Sequence, residues 1–317
     1  MDFTIQERTV SDCRQLILAS PDGRTQAIVL PDYGALLHAF IVDNQGQPFN
    51  IIDNYADAAD IAANLAMSYK SSKLSPFVCR IAGAQYQYEG QTMEFAARFV
   101  DGNAIHGLLF NKPFRKIASF TDSGRASVLL KYVYKQEDDG YPFDYACEIR
   151  YTLFANNTLQ IQTTVTNLDD LTLPMADGWH PYFTLGGAAN EWFLQFASDT
   201  MLEFDERLVP TGKKIKDARF TEPFRLGDTE LDNCFELDPL EGQAACVLRN
   251  DATGLQLSLF PDKSYPYLQL YTPPHRKSIA IENLSAAPDA FNNGMGLMML
   301  KPGHTETFTV YYQVACG

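Results

Sequence analysis

Apolar and polar residues alternate with a period of two in many segments of this sequence, and this pattern constrains the fold more than any other feature. Residues 159–166 and 308–314 show the alternation most clearly. A period of two places successive side chains on opposite faces of a strand, so each segment predicts a half-buried β-strand. Further segments of this kind are residues 26–30, 35–42, 127–134, 145–153, 255–259 and 267–271.

Turn residues separate these segments, and helical signals are scarce. Asn156-Asn157 joins two alternating runs and predicts a hairpin. Only residues 57–67, which are rich in alanine, place apolar residues at helical spacing. A parallel sheet needs crossover helices between its strands, and the sequence lacks them. We therefore predict an all-β fold in which residues 1–317 form one antiparallel domain, although the length alone would also allow two.

The charge balance excludes several kinds of partner. Lys and Arg total 25, whereas Asp and Glu total 39, which gives a formal net charge of −14. Nucleic acids and anionic membrane surfaces attract basic proteins, so we expect neither as a partner. A neutral small molecule is the favoured ligand, and the acidic balance also serves solubility.

Cysteine usage and the N-terminal residues predict a cytoplasmic protein. The six cysteines are scattered without a C-x-x-C pair, which favours reduced thiols over a zinc site. Residues 1–7 lack a basic region followed by an apolar stretch, and no apolar run reaches the roughly 20 residues of a membrane span. Glycine-rich phosphate loops, nucleophile elbows and histidine metal motifs are also missing, so we expect neither a cofactor nor a metal.

Two of the five histidines lie in contexts that suit a functional role. His106 precedes Gly107, which lets the backbone bend and a ligand approach closely. His180 precedes Pro181, which restricts the histidine backbone to an extended conformation and so fixes the direction of its imidazole. Either residue could instead be a core or turn histidine with a structural role only. We favour that structural interpretation for His275.

Three charged residues stand within apolar segments. Glu282 follows Ile281, and a carboxylate there either costs desolvation free energy or faces a cleft. Burial would raise its pKa towards the range of a general base, whereas an edge strand or a salt bridge would give it a structural role. Arg80 and Asp232 could bind ligand hydroxyls or form structural ion pairs.

Taken in order, these segments resemble the aldose 1-epimerase (galactose mutarotase) family over roughly residues 33–314. Each motif is short, but their common order is specific. Cys79 departs from the family pattern, which usually has asparagine at this position. The matching motifs are Arg80-Ile81 with the hairpin at Tyr88-Glu89-Gly90-Gln91, Asn103-Ala104-Ile105-His106-Gly107, His180-Pro181-Tyr182-Phe183, Leu231-Asp232-Asn233-Cys234-Phe235, Gln269-Leu270-Tyr271-Thr272, Ile281-Glu282 with Pro288-Asp289, and a closing hairpin formed by Leu300-Lys301-Pro302-Gly303 and residues 307–312.

The resemblance implies a large antiparallel β-supersandwich and a cofactor-independent isomerase, monomeric or homodimeric, that interconverts the α and β anomers of a free monosaccharide. Such a reaction needs an acid and a base on opposite sides of a small polar cleft. Tyr182, Phe183 and Tyr271 would line the floor of that cleft. The implied catalytic residues are Glu282 as base, His180 as acid and His106 as a stabiliser of oxygen charge, and the implied substrate-binding residues are Arg80, Asp232 and Gln269.

A carboxylate close to His180 is expected to favour the imidazolium form of this histidine.

Two other functions remain open. A hexose-6-phosphate 1-epimerase would need a cationic pocket, for which Arg80, Lys73 and the lysines at 213, 214 and 216 are candidates. A non-catalytic carbohydrate-binding module would keep the fold and lose the acid or the base, and both are present here.

Overall fold

Antiparallel strands make up about half of the computed structural model, which describes residues 1–238 and 242–317. Two α-helices, α1 (Ala58–Ser68) and α2 (Ala290–Asn293), and two 3₁₀ turns, Ala82–Ala84 and Ala189–Glu191, interrupt them. In chain order the strands are β1 (Thr4–Val10), β2 (Cys13–Ala19), β3 (Gln26–Leu30), β4 (Leu36–Asn44), β5 (Gln47–Asn50), β6 (Ser72–Leu74), β7 (Arg80–Ile81), β8 (Gln85–Tyr88), β9 (Gln91–Glu94), β10 (Ala104–Ile105), β11 (Arg115–Thr121), β12 (Arg125–Lys135), β13 (Asp144–Phe154), β14 (Thr158–Asn167), β15 (Leu173–Met175), β16 (Gly178–His180), β17 (Tyr182–Phe183), β18 (Phe193–Phe196), β19 (Thr200–Phe204), β20 (Pro210–Lys216), β21 (Phe224–Arg225), β22 (Asp232–Glu236), β23 (Cys246–Asn250), β24 (Leu255–Pro261), β25 (Tyr267–Tyr271), β26 (Ile279–Leu284), β27 (Met298–Leu300) and β28 (Thr305–Ala315).

Three large sheets build the fold. The N-terminal strands form a sheet in the order β1-β2-β3-β4-β5. A second sheet has the order β11-β12-β13-β14-β28-β24-β23-β18-β21, and a third has the order β20-β19-β22-β25-β26-β16-β6 with β17 paired to β26. The predicted all-β antiparallel fold is confirmed.

The predicted strands are present because alternation and burial agree. Along β14 buried and half-buried residues alternate from end to end, as expected for a strand with one face on the core. The hairpin predicted at Asn156-Asn157 is confirmed, and it joins β13 to β14. Both asparagines lie in the three-residue turn 155–157 and have positive φ, 59° and 51°, a left-handed conformation that asparagine tolerates.

The predicted helix is also confirmed, as α1. The Asp57 side chain caps its N-terminus by accepting a hydrogen bond of 2.8 Å from the backbone N–H of Asp60. Ile61 and Leu65 are its buried residues, and Tyr69 ends it in a left-handed conformation. Among the described residues no helix is both long enough and apolar enough to cross a membrane.

One expectation about the C-terminal strands is wrong. The closing segment does not form a hairpin, because β27 pairs with β15 while β28 pairs with β14 and β24. Both edges of β28 are therefore already occupied by strands of the second sheet, and none is left for β27. By contrast, the hairpin at Tyr88–Gln91 is present as β8 and β9.

Candidate active site

A cavity of about 520 Å³ brings together the residues that the sequence predicts as catalytic or substrate-binding. A volume of this size is typical of small-molecule sites. Strands, loops and α1 all contribute to its wall. The six predicted site residues that line it are Arg80, His106, His180, Asp232, Gln269 and Glu282.

The third sheet supplies one face of this cavity through its register. Gln269 on β25 lies directly opposite Glu282 on β26, and Tyr271 on β25 lies opposite Asp232 on β22. Residues paired across strands, and residues two apart along a strand, share a face of the sheet. All four side chains therefore point to the same side, although they come from three different strands.

Glu282 and His180 are in contact at the buried end of the cavity. The His180 Nε2 lies 3.3 Å from the Glu282 Oε1, and their side chains are only 7% and 2% exposed. Glu282 belongs to an interior strand, paired with β25 on one side and with β16 and β17 on the other, so the edge-strand alternative is wrong. The two groups stand side by side and not, as expected, on opposite sides of a cleft.

His106 reaches the same point from a separate element. The short pair β7–β10 sets its position, because Ile105 pairs with Arg80 and the His106 N–H donates a hydrogen bond of 2.9 Å to the Cys79 carbonyl. The His106 ring meets the His180 ring edge-on, with centroids 4.8 Å apart and an interplanar angle of 82°. The Tyr69 ring packs against it as well, at a centroid distance of 4.7 Å.

Burial governs the protonation of these three groups. It raises the pKa of Glu282 well above its usual range; the nearby Asp232 adds to this rise and Arg80 opposes it. Burial lowers the pKa of His180 to about 4 and lowers that of His106 well below the usual value. The expected imidazolium form of His180 is therefore not favoured in the cavity, because desolvation outweighs the attraction of the carboxyl group. The His180–Glu282 pair carries no net charge when it holds a single proton, on either partner.

Several polar atoms of the cavity have no hydrogen-bond partner among the described residues. They are the Nδ1 atoms of His106 and His180, the Oε2 of Glu282 and the Oε1 of Gln269. Buried polar atoms are normally paired, so a bound molecule or an ordered water that reaches these atoms would satisfy them. One ligand atom from each of His106, His180 and Glu282 also lies within 4.8 Å of the others, so these three residues could hold a metal ion.

The remaining predicted residues form a polar wall. The Gln269 Nε2 donates a hydrogen bond of 2.8 Å to the Asp232 Oδ1. Burial raises the pKa of Asp232, while Arg80 and this hydrogen bond act in the opposite direction. The Arg80 Nε lies 2.9 Å from the Asp101 Oδ2, so Arg80 forms an ion pair and still lines the cavity.

Sequence reasoning missed much of the aromatic and helical wall. Tyr182 and Tyr271 line the cavity as expected, whereas Phe183 is fully buried in the core and packs edge-on against Tyr312. His275 lines the cavity as well, and the structural role that we favour for it stays a prediction. Residues not predicted from the sequence are Tyr55, Tyr69, Lys70 and Phe99, together with the α1 side chains Asp60, Asn64, Met67 and Ser68.

The spacing of the α1 residues is the one sequence feature that relates these four cavity-lining side chains to each other. Positions 60, 64, 67 and 68 fall on one face of a helix, because residues three and four apart are neighbours there. This face is polar except for Met67, so nothing in the sequence distinguishes it from an ordinary solvated helix face. Only the tertiary position of α1 turns it towards the cavity.

The candidate phosphate-binding lysines are placed elsewhere. Lys73 is fully buried and forms an ion pair of 2.5 Å with Asp177 in the core. Three further candidates lie on β20 and do not line the cavity. They are Lys213, Lys214 and Lys216, and each forms an ion pair with a carboxylate outside β20. The prediction that these lysines could bind a phosphate group is therefore wrong for this cavity.

A buried acid–base pair beside unpaired hydrogen-bonding atoms suits an enzyme that moves protons on a small polar substrate. The chain belongs to the aldose 1-epimerase family, whose model matches residues 16–313. Membership of this family implies an isomerase of the epimerase type.

Individual proteins agree with the family match. The chain is similar to a maltose epimerase from Levilactobacillus brevis, with 26% identity over 276 residues, covering 80% of this chain and 78% of the relative. It is 25% identical over 316 residues to an aldose 1-epimerase from Streptococcus thermophilus, covering 88% of each. A crystal structure of a galactose mutarotase-like protein from Clostridium acetobutylicum shares the fold, with a TM-score of 0.88, 17% identity and coverage of 100% of this chain and 99% of that one.

Proposed function

We propose that this protein interconverts the α and β anomers of a free aldose by opening and reclosing the sugar ring. The contact of 3.3 Å between the His180 Nε2 and the Glu282 Oε1, at the buried end of a polar cavity, carries this proposal. The two sugar oxygens that exchange protons, O1 and the ring oxygen O5, are both bonded to C1. An acid and a base that touch each other can therefore serve both oxygens of one sugar.

The proton balance closes within the pair. Glu282, as carboxylate, takes the proton of the O1 hydroxyl while His180, as imidazolium, protonates O5 and the C1–O5 bond breaks. O1 becomes the oxygen of an aldehyde, and rotation about C1–C2 presents the other face of the carbonyl. Reclosure reverses both transfers. In the opening step the pair starts with one proton on His180 and ends with one proton on Glu282, so its net charge never changes.

Burial favours the state of the pair that ring opening produces, and it disfavours the ion pair from which opening starts. The product state, a carboxylic acid beside a neutral imidazole, is the form that the lowered pKa of His180 and the raised pKa of Glu282 favour. His106 stays neutral for the same reason and can donate one hydrogen bond to the oxygen on which charge develops. Arg80, Asp232 and Gln269 hold the remaining hydroxyls and so fix the sugar relative to the pair.

A free sugar fits the cavity better than a phosphorylated one. The cations on its wall are Arg80 and Lys70, and each already faces a carboxylate, Asp101 at 2.9 Å and Asp53 at 2.8 Å. A phosphate dianion is bound best by cations that are free to donate charge-assisted hydrogen bonds. The names of the two relatives, a maltose epimerase and an aldose 1-epimerase, also support an unphosphorylated substrate.

Exchange of the two anomers can be measured directly, by magnetisation-transfer NMR on glucose or galactose at equilibrium. Glu282→Gln and His180→Asn should each lower kcat by about 10²–10⁴, because each removes one proton-transfer group. Glu306→Gln and His304→Asn change exposed residues of the same types and should leave the rate unaltered. A Glu282→Gln or His180→Asn variant that keeps the wild-type rate would refute the assignment.

The proposal includes a reaction without a cofactor, in the cytoplasm. Proton transfer between O1 and O5 needs no electron acceptor and no Lewis acid. The wild-type rate should therefore survive dialysis against EDTA, and a rate restored only by added metal would instead assign His106, His180 and Glu282 as metal ligands.

The six free cysteines support a reducing compartment, which cell fractionation can check.

A further inference from the structure

Three side chains that can ligate a metal ion converge at the buried end of the cavity. One ligand atom from each of His106, His180 and Glu282 lies within 4.8 Å of the other two, and the rest of the described chain holds no second group of this kind. Each of the three residues is more than nine-tenths buried. Two imidazoles and one carboxylate are also the ligand set of several catalytic zinc sites.

The His180–Glu282 contact has the spacing of two ligands on one zinc ion. With metal–ligand bonds of about 2.0–2.1 Å, two ligand atoms at the corners of a tetrahedron lie about 3.3–3.4 Å apart. The His180 Nε2 and the Glu282 Oε1 are already 3.3 Å apart. No pair of ligand atoms in the group is separated by more than 4.8 Å, so a tetrahedral site requires them to approach by about 1.5 Å at most.

Each of the three side chains also has a buried polar atom without a hydrogen-bond partner among the described residues. These atoms are the Nδ1 of His106, the Nδ1 of His180 and the Oε2 of Glu282. No hydrogen bond to the protein at these atoms has to break when a side chain turns towards a metal ion. Coordination would satisfy polar atoms that are otherwise costly to bury.

The charges and donor types around the group suit a divalent transition metal. Glu282 supplies one carboxylate, and Asp232 on the same wall supplies a second close by. Arg80, which also lines the wall, forms an ion pair of 2.9 Å with Asp101. Hard cations such as Mg²⁺ prefer oxygen ligands, whereas two imidazoles favour Zn²⁺ and similar ions.

We propose that His106, His180 and Glu282 bind Zn²⁺ or a similar divalent transition-metal ion, and that this ion inhibits sugar exchange by occupying the place of the anomeric centre. The ion is an inhibitor and not a cofactor. It displaces the proton that His180 and Glu282 share, this proton passes to the solvent, and water takes the fourth coordination position. Metal binding is independent of the proposed function, whereas the inhibition rests on it.

Calorimetric titration of protein that has been freed of metal by EDTA and dialysed tests the binding directly. Zn²⁺ should bind with one ion per chain, and Co²⁺ should give the intense visible absorption of a four-coordinate site. His106→Asn removes one ligand, and asparagine tolerates the positive φ of 58° at this position. Zinc affinity should fall by at least about tenfold in this variant and in Glu282→Gln, because even the loss of an outer-sphere partner costs about 10–100-fold. Circular dichroism verifies that both variants fold.

Two control variants remove other groups with an affinity for zinc. His275 and Asp53 form a second histidine–carboxylate contact, with the Nε2 4.0 Å from the Oδ2. Cys79 contributes a thiol to the wall of the cavity. His275→Asn and Cys79→Ser should both retain the wild-type affinity for zinc.

Anomer exchange on glucose tests the inhibition. Zn²⁺ should lower the rate of the wild-type protein, and excess EDTA should restore it. The apparent inhibition constant should rise in proportion to the glucose concentration above KM, because sugar and metal need the same atoms of His180 and Glu282. Mg²⁺ at the same concentration should leave the rate unaltered.

The outcomes separate this inference from the proposed function. The metal site is overturned if zinc binds no more tightly to wild-type protein than to His106→Asn and Glu282→Gln, or if His275→Asn or Cys79→Ser weakens binding as much as they do. Zinc that binds with the predicted affinities without lowering glucose exchange overturns the inhibition. A protein that binds zinc as predicted but exchanges no sugar when metal-free overturns the proposed function and supports the metal site.

Discussion

The His180–Glu282 contact shows what a sequence reveals about single residues and what it leaves out. Glu282 within an apolar strand and His180 before a proline are distinguished by their immediate neighbours. Their protonation states cannot be inferred from these neighbours, because the states depend on burial by residues distant in the chain. Tyr69, which ends α1 in a left-handed conformation, packs against His106 from a distant part of the chain. No local pattern identifies such a contact.

The pH dependence of the reaction follows from the burial of His180. The active pair holds one proton, and a second proton would have to bind the neutral imidazole, whose pKa is lowered to about 4. On the acid side kcat/KM should therefore fall only near that pH, and not near the ordinary histidine value of about 6.5. Anomer exchange, corrected for the uncatalysed reaction, measures this profile. A twofold loss centred near pH 6.5 would show that His180 titrates as an exposed histidine does.

Individual elements were easier to predict than their pairing. Alternation is a local property, so the strand at residues 159–166 and the helix at residues 57–67 could be predicted from the sequence. The partners of a strand depend on the whole fold, and for this reason the closing hairpin was predicted incorrectly. Lys73 illustrates the same limit, since its place in the core depends on the pairing of β6 with β16.

The buried Lys73–Asp177 pair braces the strand that carries His180. Lys73 lies opposite Trp179 in the β6–β16 register, its Nζ is 4.6 Å from the Trp179 ring centroid, and both charged side chains are fully buried. Lys73→Met leaves Asp177 charged without its partner and should lower the free energy of unfolding by about 3–5 kcal/mol. Urea denaturation measures this loss.

Lys131→Met provides the matched control, because it breaks a half-exposed pair of 2.9 Å with Glu148 and should cost about 0–1 kcal/mol. The double variant Lys73→Met/Asp177→Asn should lose less than the sum of its two single variants, since it removes the uncompensated charge. Equal losses for Lys73→Met and Lys131→Met would show that the buried pair does not support β16.

At the scale of the whole molecule, one core and one cavity draw on distant parts of the chain. The largest cluster of buried apolar residues runs from Phe3 to Val314, and three smaller clusters are separate from it. The cavity takes residues from Tyr55 to Pro288. Composition predicted a large β-protein, but only the order of the motifs suggested that both halves of the chain build a single site.

We expect this core to unfold as one unit, as the prediction of a single domain over residues 1–317 requires. Near-ultraviolet and far-ultraviolet circular dichroism should give coincident urea transitions, because aromatic packing and sheet structure would be lost together. Sedimentation velocity at the same concentrations should show a monomer or a homodimer. Two separated transitions would divide the chain into independent domains.

The most direct test of the acid–base pair is the anomer exchange rate of the double variant Glu282→Gln/His180→Asn. Two groups that share one proton act as a unit, so the double variant should exchange anomers no more slowly than the slower of the two single variants. Losses that multiply, with the double variant slower by the product of the two single effects, would mean that His180 and Glu282 act independently and would contradict the shared-proton mechanism.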